Sequence, residues 1–312
     1  MNRICQEDSF RLARKSQALR LRAEFTQCLR RQFLEQGFLE VETPLRIPSP
    51  APEEHIDALP SGSWFLQTSP ELCMKRLLAA GYPRIFQFCK CFRAGERGDR
   101  HLPEFSMLEW YVLHADYQIL MSQCEAILQC AFAEAGHPEK IVRQHRTIHL
   151  SLPWERITVA EAFGRYAPVR LHDALAGGRF DEVLTEYVEP NLGSERPVFL
   201  FDYPAPLAAL AKIKEDDPAV AERFELYIGG MEIANGFSEL TDATEQRRRF
   251  EEALEARAAK HLTRYAMPET FLSSLKNLPP CAGIALGLDR MIMILADKPN
   301  IDDVIAFPPE IL

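Results

Sequence analysis

Seven charged or imidazole side chains crowd one short connection of this chain: Arg93, Glu96, Arg97, Asp99, Arg100, His101 and Glu104. The segments on either side read as strands. Residues 84–93 alternate, with Phe86, Phe88 and Phe92 on one face. Residues 105–112 also alternate, with Phe105, Met107, Glu109 and Tyr111 sharing a face. Hairpin connections usually run to about 2–5 residues, so a longer one this rich in charge needs a reason. Holding a polyanion is a good one, because guanidinium groups grip phosphate in a planar, two-pronged way.

A second stretch pairs carboxylates. Gly229-Gly230 is a two-residue hairpin signal, which pairs Tyr227 with Glu232 and Glu225 with Ala234. Glu225 and Glu232 then point to one face as diagonal neighbours, about 7–8 Å apart by backbone geometry. Two carboxylates across that gap can share a divalent cation, with magnesium favoured by oxygen ligands and completed by phosphates. Simple alternation puts Asn235, Phe237 and Glu239 on the opposite face. A third stretch, 283–290, reads as a buried strand feeding straight into a helix, with Gly287 open to close backbone approach and Arg290 at the junction. Cys89 and Cys91 are the one close cysteine pair. Their spacing is wrong for zinc, so a metal or redox role is not assigned to them.

These residues need elements to hold them. Residues 8–37 are expected to form one long amphipathic helix, with Leu21, Phe25, Leu29 and Phe33 at four-residue spacing and Gly37 as its stop. A short strand, 38–45, follows and ends in proline, and the proline-rich 46–63 reads as a surface loop. Ser69 caps the next helix, Pro70 takes its first position and Glu71 favours the positive end of the dipole; Gly81 and Pro83 close it. A core helix is expected at 116–136, a polar connector at 137–150, further helix at 158–190, a strand at 197–203 and a charged, solvated helix at 243–262.

The words in these stretches resemble the class II aminoacyl-tRNA synthetases, most of all the lysyl branch. Phe92-Arg93, seven residues, then His101-x-Pro103-Glu104-Phe105-x-Met107-Leu108-Glu109-x-Tyr111 resembles their motif 2. The helix, strand and proline at about 21–45 resemble motif 1, and Gly287-Leu288-Asp289-Arg290, within about 281–297, resembles motif 3. Arg223-Phe224-Glu225 and Glu232-Ile233-x-Asn235-Gly236-x-Ser238-Glu239-Leu240 also match lysyl-branch words. The resemblance implies an α+β fold: one class II catalytic domain over 1–312, a mainly antiparallel sheet flanked by helices, working as a homodimer. It places Glu232, Asn235, Phe237 and Glu239 around one pocket, so a bulge is expected near 234–236 to re-aim that strand.

Residue by residue, the resemblance implies an ATP site. Arg93 would lie on the amino-acid carboxylate and α-phosphate, Arg290 on the distal phosphates, His101 on the nucleotide and Phe105 under the adenine. Ala94, Gly95, Glu96, Leu102, Leu226 and Gly287 would lie alongside, and Glu225 and Glu232 would hold Mg2+. Ser69, Pro70, Glu71, Glu109, Tyr111, Glu232, Asn235, Phe237, Glu239 and Ala285 would surround an amino acid with two ammonium groups. Two positions depart from the pattern. Arg93-Ala94-Gly95 replaces Arg-Asn-Glu and leaves Glu96 one place late, and Leu102 replaces an asparagine.

The 312 residues carry 47% apolar and 26% charged side chains, ordinary for a globular protein, and a net charge of −9 that disfavours a broad grip on nucleic acid. No run is apolar enough for a membrane span and 1–20 lack a signal-peptide core, so a cytoplasmic location is expected. Lysyl-tRNA synthetases carry an N-terminal anticodon-reading barrel, and about 20 residues before the motif 1 helix are too few for one. A stand-alone lysyl-type domain resembles the elongation factor P lysine ligases, which adenylate (R)-β-lysine and transfer it to a lysine side chain of elongation factor P. Ala285 stands where the tRNA synthetases usually have glycine, and the ligases share the alanine. A truncated enzyme charging tRNA or another acceptor, and a regulatory paralogue without chemistry, are the alternatives.

Overall fold

A computed structural model describes residues 10–312. Its centre is an eight-stranded sheet built from β1 (Leu39–Glu40), β2 (Arg84–Phe92), β3 (Glu104–Leu113), β4 (Glu155–Thr158), β5 (Val198–Pro204), β6 (Val220–Ile228), β7 (Met231–Ser238) and β8 (Cys281–Gly287). The order across the sheet is β1-β2-β3-β8-β7-β6-β5-β4. The six middle strands run antiparallel, and β1 and β4 add parallel strands at the two edges.

Period-2 alternation sorts the sheet into two faces. One row, Phe86–Trp110–Ile284–Gly236–Phe224–Phe201, crosses five strand pairings and belongs to the apolar side. The helices α1 (Ser16–Glu35), α2 (Glu71–Ala79), α3 (Tyr117–Glu134), α4 (Ala243–Ala259) and α5 (Leu288–Leu295) flank the sheet. α1, α3 and α5 cover its apolar side, where Phe33 stacks on Phe86 with ring centroids 4.8 Å apart and Phe25 faces Phe132 across α1 and α3. The next row, Gln87–Glu109–Ala285–Asn235–Glu225, faces the other way and carries the polar residues. Glycine is required at two points. A Cβ on Gly283 would lie 2.2 Å from the Tyr111 ring, and one on Gly236 would lie 2.6 Å from the Phe224 ring.

The bulge occurs, one residue earlier than expected. Tyr227 pairs with Glu232, but Leu226 then pairs with Ala234 and Glu225 with Asn235, so the extra residue is Ile233. Glu225 therefore sits opposite Asn235 rather than Ala234. The slip brings Glu232, Asn235 and Phe237 to the face that carries Glu225.

Other expectations need correction. The expected helix at 8–37 begins outside the described residues, is interrupted at Lys15 and resumes as α1. Lys15 turns its ammonium to the carbonyl of Ile305 at 3.0 Å. The 46–63 loop contains two short strands, Arg46–Ile47 and Pro60–Ser61, that pair with Trp64–Leu66. The 137–150 connector is a hairpin of Lys140–Arg143 and Arg146–His149. In both places strand content hid behind proline or charge, because short hairpins need little apolar alternation. Pro70, not Ser69, is the residue that caps α2; Ser69 Oγ accepts from the Glu71 amide at 3.0 Å.

Candidate functional site

The polar face of the sheet floors a cavity of about 340 Å³. β3 contributes Phe105, Met107, Glu109 and Tyr111, the face read from its alternation, and β7 contributes Glu232, Asn235 and Phe237. β8 adds Gly283, Ala285 and Gly287; the loop before α2 adds Ser69 and α2 adds its first residue, Glu71; the charged connection adds Arg93, Glu96, His101 and Leu102. Arg290 enters from the first turn of α5. Asp289 fixes that turn: it is buried, accepts from the Ser106 amide at 2.7 Å and pairs with Arg22 of α1.

One end is acidic and internally bonded. Glu109 accepts from Ser69 Oγ and from Tyr111 OH, each at 2.7 Å. Burial pushes Glu109 up to about 7, the nearby Glu71 adds to the rise and the two hydrogen bonds oppose it. Lys75 of α2 is fully buried, donates to Glu71 at 2.5 Å and pairs with Glu239. Glu239 is raised to about 8 by burial, against the pull of Lys75. The Lys75 ammonium also lies 5.2 Å from the Phe237 ring centre. Glu71 and Glu239 therefore share one ammonium and Glu109 is held by two neutral hydroxyls, which leaves room for positive charge from a ligand.

The other end is cationic and lies on the connection. The Arg93 guanidinium lies 5.0 Å over the Phe105 ring and 3.7 Å from Glu96, the carboxylate that the sequence sets one place late. Arg290 donates to the Glu232 carboxylate at 2.9 Å, to the Arg100 carbonyl at 3.3 Å and to His101 Nε2 at 2.5 Å. Accepting at Nε2 requires a neutral imidazole, in line with His101 being lowered by burial and then by Arg290. A Cβ on Gly287 would sit in ordinary contact, 3.7 Å from the Arg290 side chain and the Ile233 carbonyl, and the glycine itself lines the cavity.

Glu225 lies behind this wall. It is buried and accepts from Arg223 and Tyr227 OH, each at 2.7 Å, and from Asn235 at 3.3 Å. Burial raises it first and the charge of Glu232 second. Glu189 joins through Tyr227 OH at 3.0 Å and is itself raised by burial. Crowded hard oxygen donors of one sign fit a divalent cation. Among the described residues no group of three or more His, Cys, Asp or Glu side chains is placed to hold a metal ion, so Glu225 and Glu232 would supply two ligands and phosphates others.

Some expected positions do not reach the cavity. Leu226 points to the apolar side and packs in the core, because its partners Phe199 and Ala234 lie on that face. Leu102 touches the cavity, but its side chain is buried in the core as well, so it supplies packing where an asparagine would supply a polar group. Pro70, Ala94 and Gly95 are off the wall; the Ala94 amide is taken by the Asp57 carbonyl at 2.7 Å. Glu239 lies beyond the wall and reaches ligands only through the Lys75 network. Sequence reading missed Glu53 and Ile56 and gave Arg223 no site role, though all three line the cavity; Arg100, counted in the charged connection, lines it too. The sequence reading also missed Arg257, whose signal was its place on the apolar spacing Gln246, Phe250, Leu254, Arg257 of α4.

Comparison with known proteins gives a consistent result. The family described as tRNA synthetases class II (D, K and N) matches residues 8–310. The elongation factor P--(R)-beta-lysine ligase of Pectobacterium atrosepticum is 40% identical over 311 residues, covering 93% of this chain and 94% of that protein. The protein of the same name from Hamiltonella defensa is 39% identical over 305 residues, with the same coverage. That of Salmonella gallinarum is 39% identical over 296 residues, covering 89% and 91%.

Proposed function

We propose, from the premise that this chain belongs to the class II tRNA synthetases of the D, K and N group, that it is an ATP-dependent ligase: it activates (R)-β-lysine and transfers it to a lysine side chain of elongation factor P. The observation that carries the reading is the acidic end of the cavity. Glu71 and Glu239 share Lys75 and Glu109 is held by the Ser69 and Tyr111 hydroxyls, an excess of negative charge that suits a ligand with two ammonium groups. The relatives are named for this substrate and this acceptor.

The chain's residues divide the work. Asn235 and Tyr111 with Glu71 and Glu109 hold and orient the ammonium groups, Glu239 acts through Lys75, and Ala285 trims the floor between Glu109 and Asn235. Arg93 takes the amino-acid carboxylate and the α-phosphate as that carboxylate attacks the α-phosphorus in line and pyrophosphate departs. Arg290 exchanges its contacts with Glu232 and His101 for the outer phosphates. Phe105 offers the adenine a stacking face. Catalysis is then positioning and charge neutralisation by preorganised groups. Glu225 and Glu232 would hold Mg2+, which supplies further neutralisation of phosphate charge.

The homodimer belongs to the same proposal. Leu34 on α1, Leu39 on β1 and Leu45 beyond it expose apolar side chains along the region that resembles motif 1, and sedimentation velocity tests whether a second copy covers them. The net charge of −9 weighs against tRNA as acceptor. Pyrophosphate exchange into ATP, driven separately by (R)-β-lysine and α-lysine, tests the activation step; transfer to elongation factor P and to tRNA tests the acceptor. Exchange that prefers α-lysine together with tRNA charging would sink the ligase reading.

A further inference from the structure

The roles above leave one cavity carboxylate unused. Glu71 and Glu239 are committed to Lys75, Glu109 to Ser69 and Tyr111, Glu96 to Arg93, Asp289 to Ser106 and Arg22, and Glu232 to Arg290. Among the described residues the Glu53 carboxylate has no hydrogen-bond or ion-pair partner, yet it lines the same cavity. Glu109 and Glu239 are sealed at the floor, at 1% and 2% exposure, whereas Glu53 keeps partial solvent exposure.

Its placement is enforced. Arg257 of α4 is fully buried and donates to the Glu53 carbonyl at 2.8 Å and the Ile56 carbonyl at 2.9 Å, and it pairs with the Asp57 carboxylate. The Ala58 amide donates to Tyr265 OH at 2.8 Å, and the Asp57 carbonyl accepts from Ala94, next to Arg93. Burying a guanidinium costs several kcal/mol unless its donors are met. Here those donors are used to hold one loop against the site. A loop that only connected two elements would need no such clamp.

We propose that Glu53 is the proton acceptor of the transfer half-reaction, taking a proton from the acceptor's ammonium group as its nitrogen approaches the activated carboxyl; this rests on the ligase reading above. In that step the N–C bond forms and the C–O bond to AMP breaks, its electron pair leaving on the phosphate oxygen. The first proton goes to Glu53 and the second to the departing phosphate or to water. A tRNA hydroxyl arrives uncharged and sheds its one proton as the ester forms, whereas a lysine ammonium must lose a proton before it can attack at all.

The surroundings suit the task. Enclosure raises Glu53 to about 7; Arg93 pulls it back down, Glu71 pushes it up, and Arg223 and Glu96 add smaller terms of opposite sign. An acceptor with a pKa near the working pH both takes and releases a proton readily. Arg93, the strongest counter-charge on Glu53, is also the residue assigned to the activated carboxyl, so base and electrophile lie at one place.

The test is the intact protein with Glu53→Gln, and Glu53→Asp as the conservative variant. It measures pyrophosphate exchange, single-turnover transfer from preformed adenylate to elongation factor P, and discharge of that adenylate by hydroxylamine, an amine already neutral at pH 7. At pH 7, Glu53→Gln is expected to slow transfer about 100-fold more than exchange, and Glu53→Asp to recover part of the loss. Wild-type transfer should rise with pH through an inflection near 7 that Glu53→Gln lacks. Hydroxylamine should discharge both adenylates at similar rates. Equal losses in exchange and transfer with a raised amino-acid KM would make Glu53 an amino-acid contact and overturn the proposal, as would transfer that keeps pace with the wild type. Wild-type protein that forms adenylate but never modifies elongation factor P would overturn the ligase reading and this proposal together.

Discussion

At the acidic end of the cavity, Glu109, Tyr111, Glu239 and Lys75 are buried, stand on or beside the central strands and α2, and are bonded to one another. At the cationic end, Arg93 and His101 stand on a connection, Arg290 on the first turn of a helix, and their contacts are partly exposed. The first region meets a ligand with its geometry already set, so its selectivity is preorganised. The second must trade existing ion pairs for phosphate, which makes binding there an exchange of partners between groups of similar charge.

The comparison breaks first if Arg290→Ala is mild. Removing the one residue that joins His101, Glu232 and the connection should lower exchange about 10³-fold. The urea midpoint should barely move, since its partners are reachable by water.

Lys75→Met should do the reverse at the other end. It leaves Glu71 and Glu239 without their cation, at a cost of about 3–5 kcal/mol at pH 8 in urea denaturation. The cost should shrink towards pH 5.5. Carboxyls whose folded pKa is raised bind more protons in the folded than in the unfolded state, so stability falls as pH rises. A pH-independent loss would show that these carboxylates are better solvated than their burial implies.

A smaller effect sharpens the same contrast. Glu109, raised to about 7, must ionise to receive an ammonium group. Amino-acid KM should therefore fall roughly tenfold from pH 6 to 8, with proton release on binding seen by calorimetry in buffers of different ionisation heat. Nucleotide KM should change less.

Ala285→Gly probes the floor alone. One methyl between Glu109 and Asn235 is worth about 1–3 kcal/mol of discrimination, so the preference between (R)-β-lysine and α-lysine in exchange should shift about tenfold towards α-lysine. ATP KM should stay put.

Much of this was determined by the sequence alone. Alternation in 105–112 put Phe105, Met107, Glu109 and Tyr111 on one face, and all four line the cavity. The hairpin at Gly229-Gly230 could be read because turn chemistry and side-chain period are local properties, and the need for a bulge followed from setting that period against the one pocket the family resemblance implied. Only the tertiary structure decided which residue bulges: Ile233, one place earlier than expected, because register is settled jointly by β6 and β8 on either side of β7. It alone turned Leu226 into the core and chose Lys75 as the counter-ion of the acidic end. It also brought Glu53 to the site, through an arginine about 200 residues further along the chain. Such pairings join segments distant in the chain, and no local period or propensity records them.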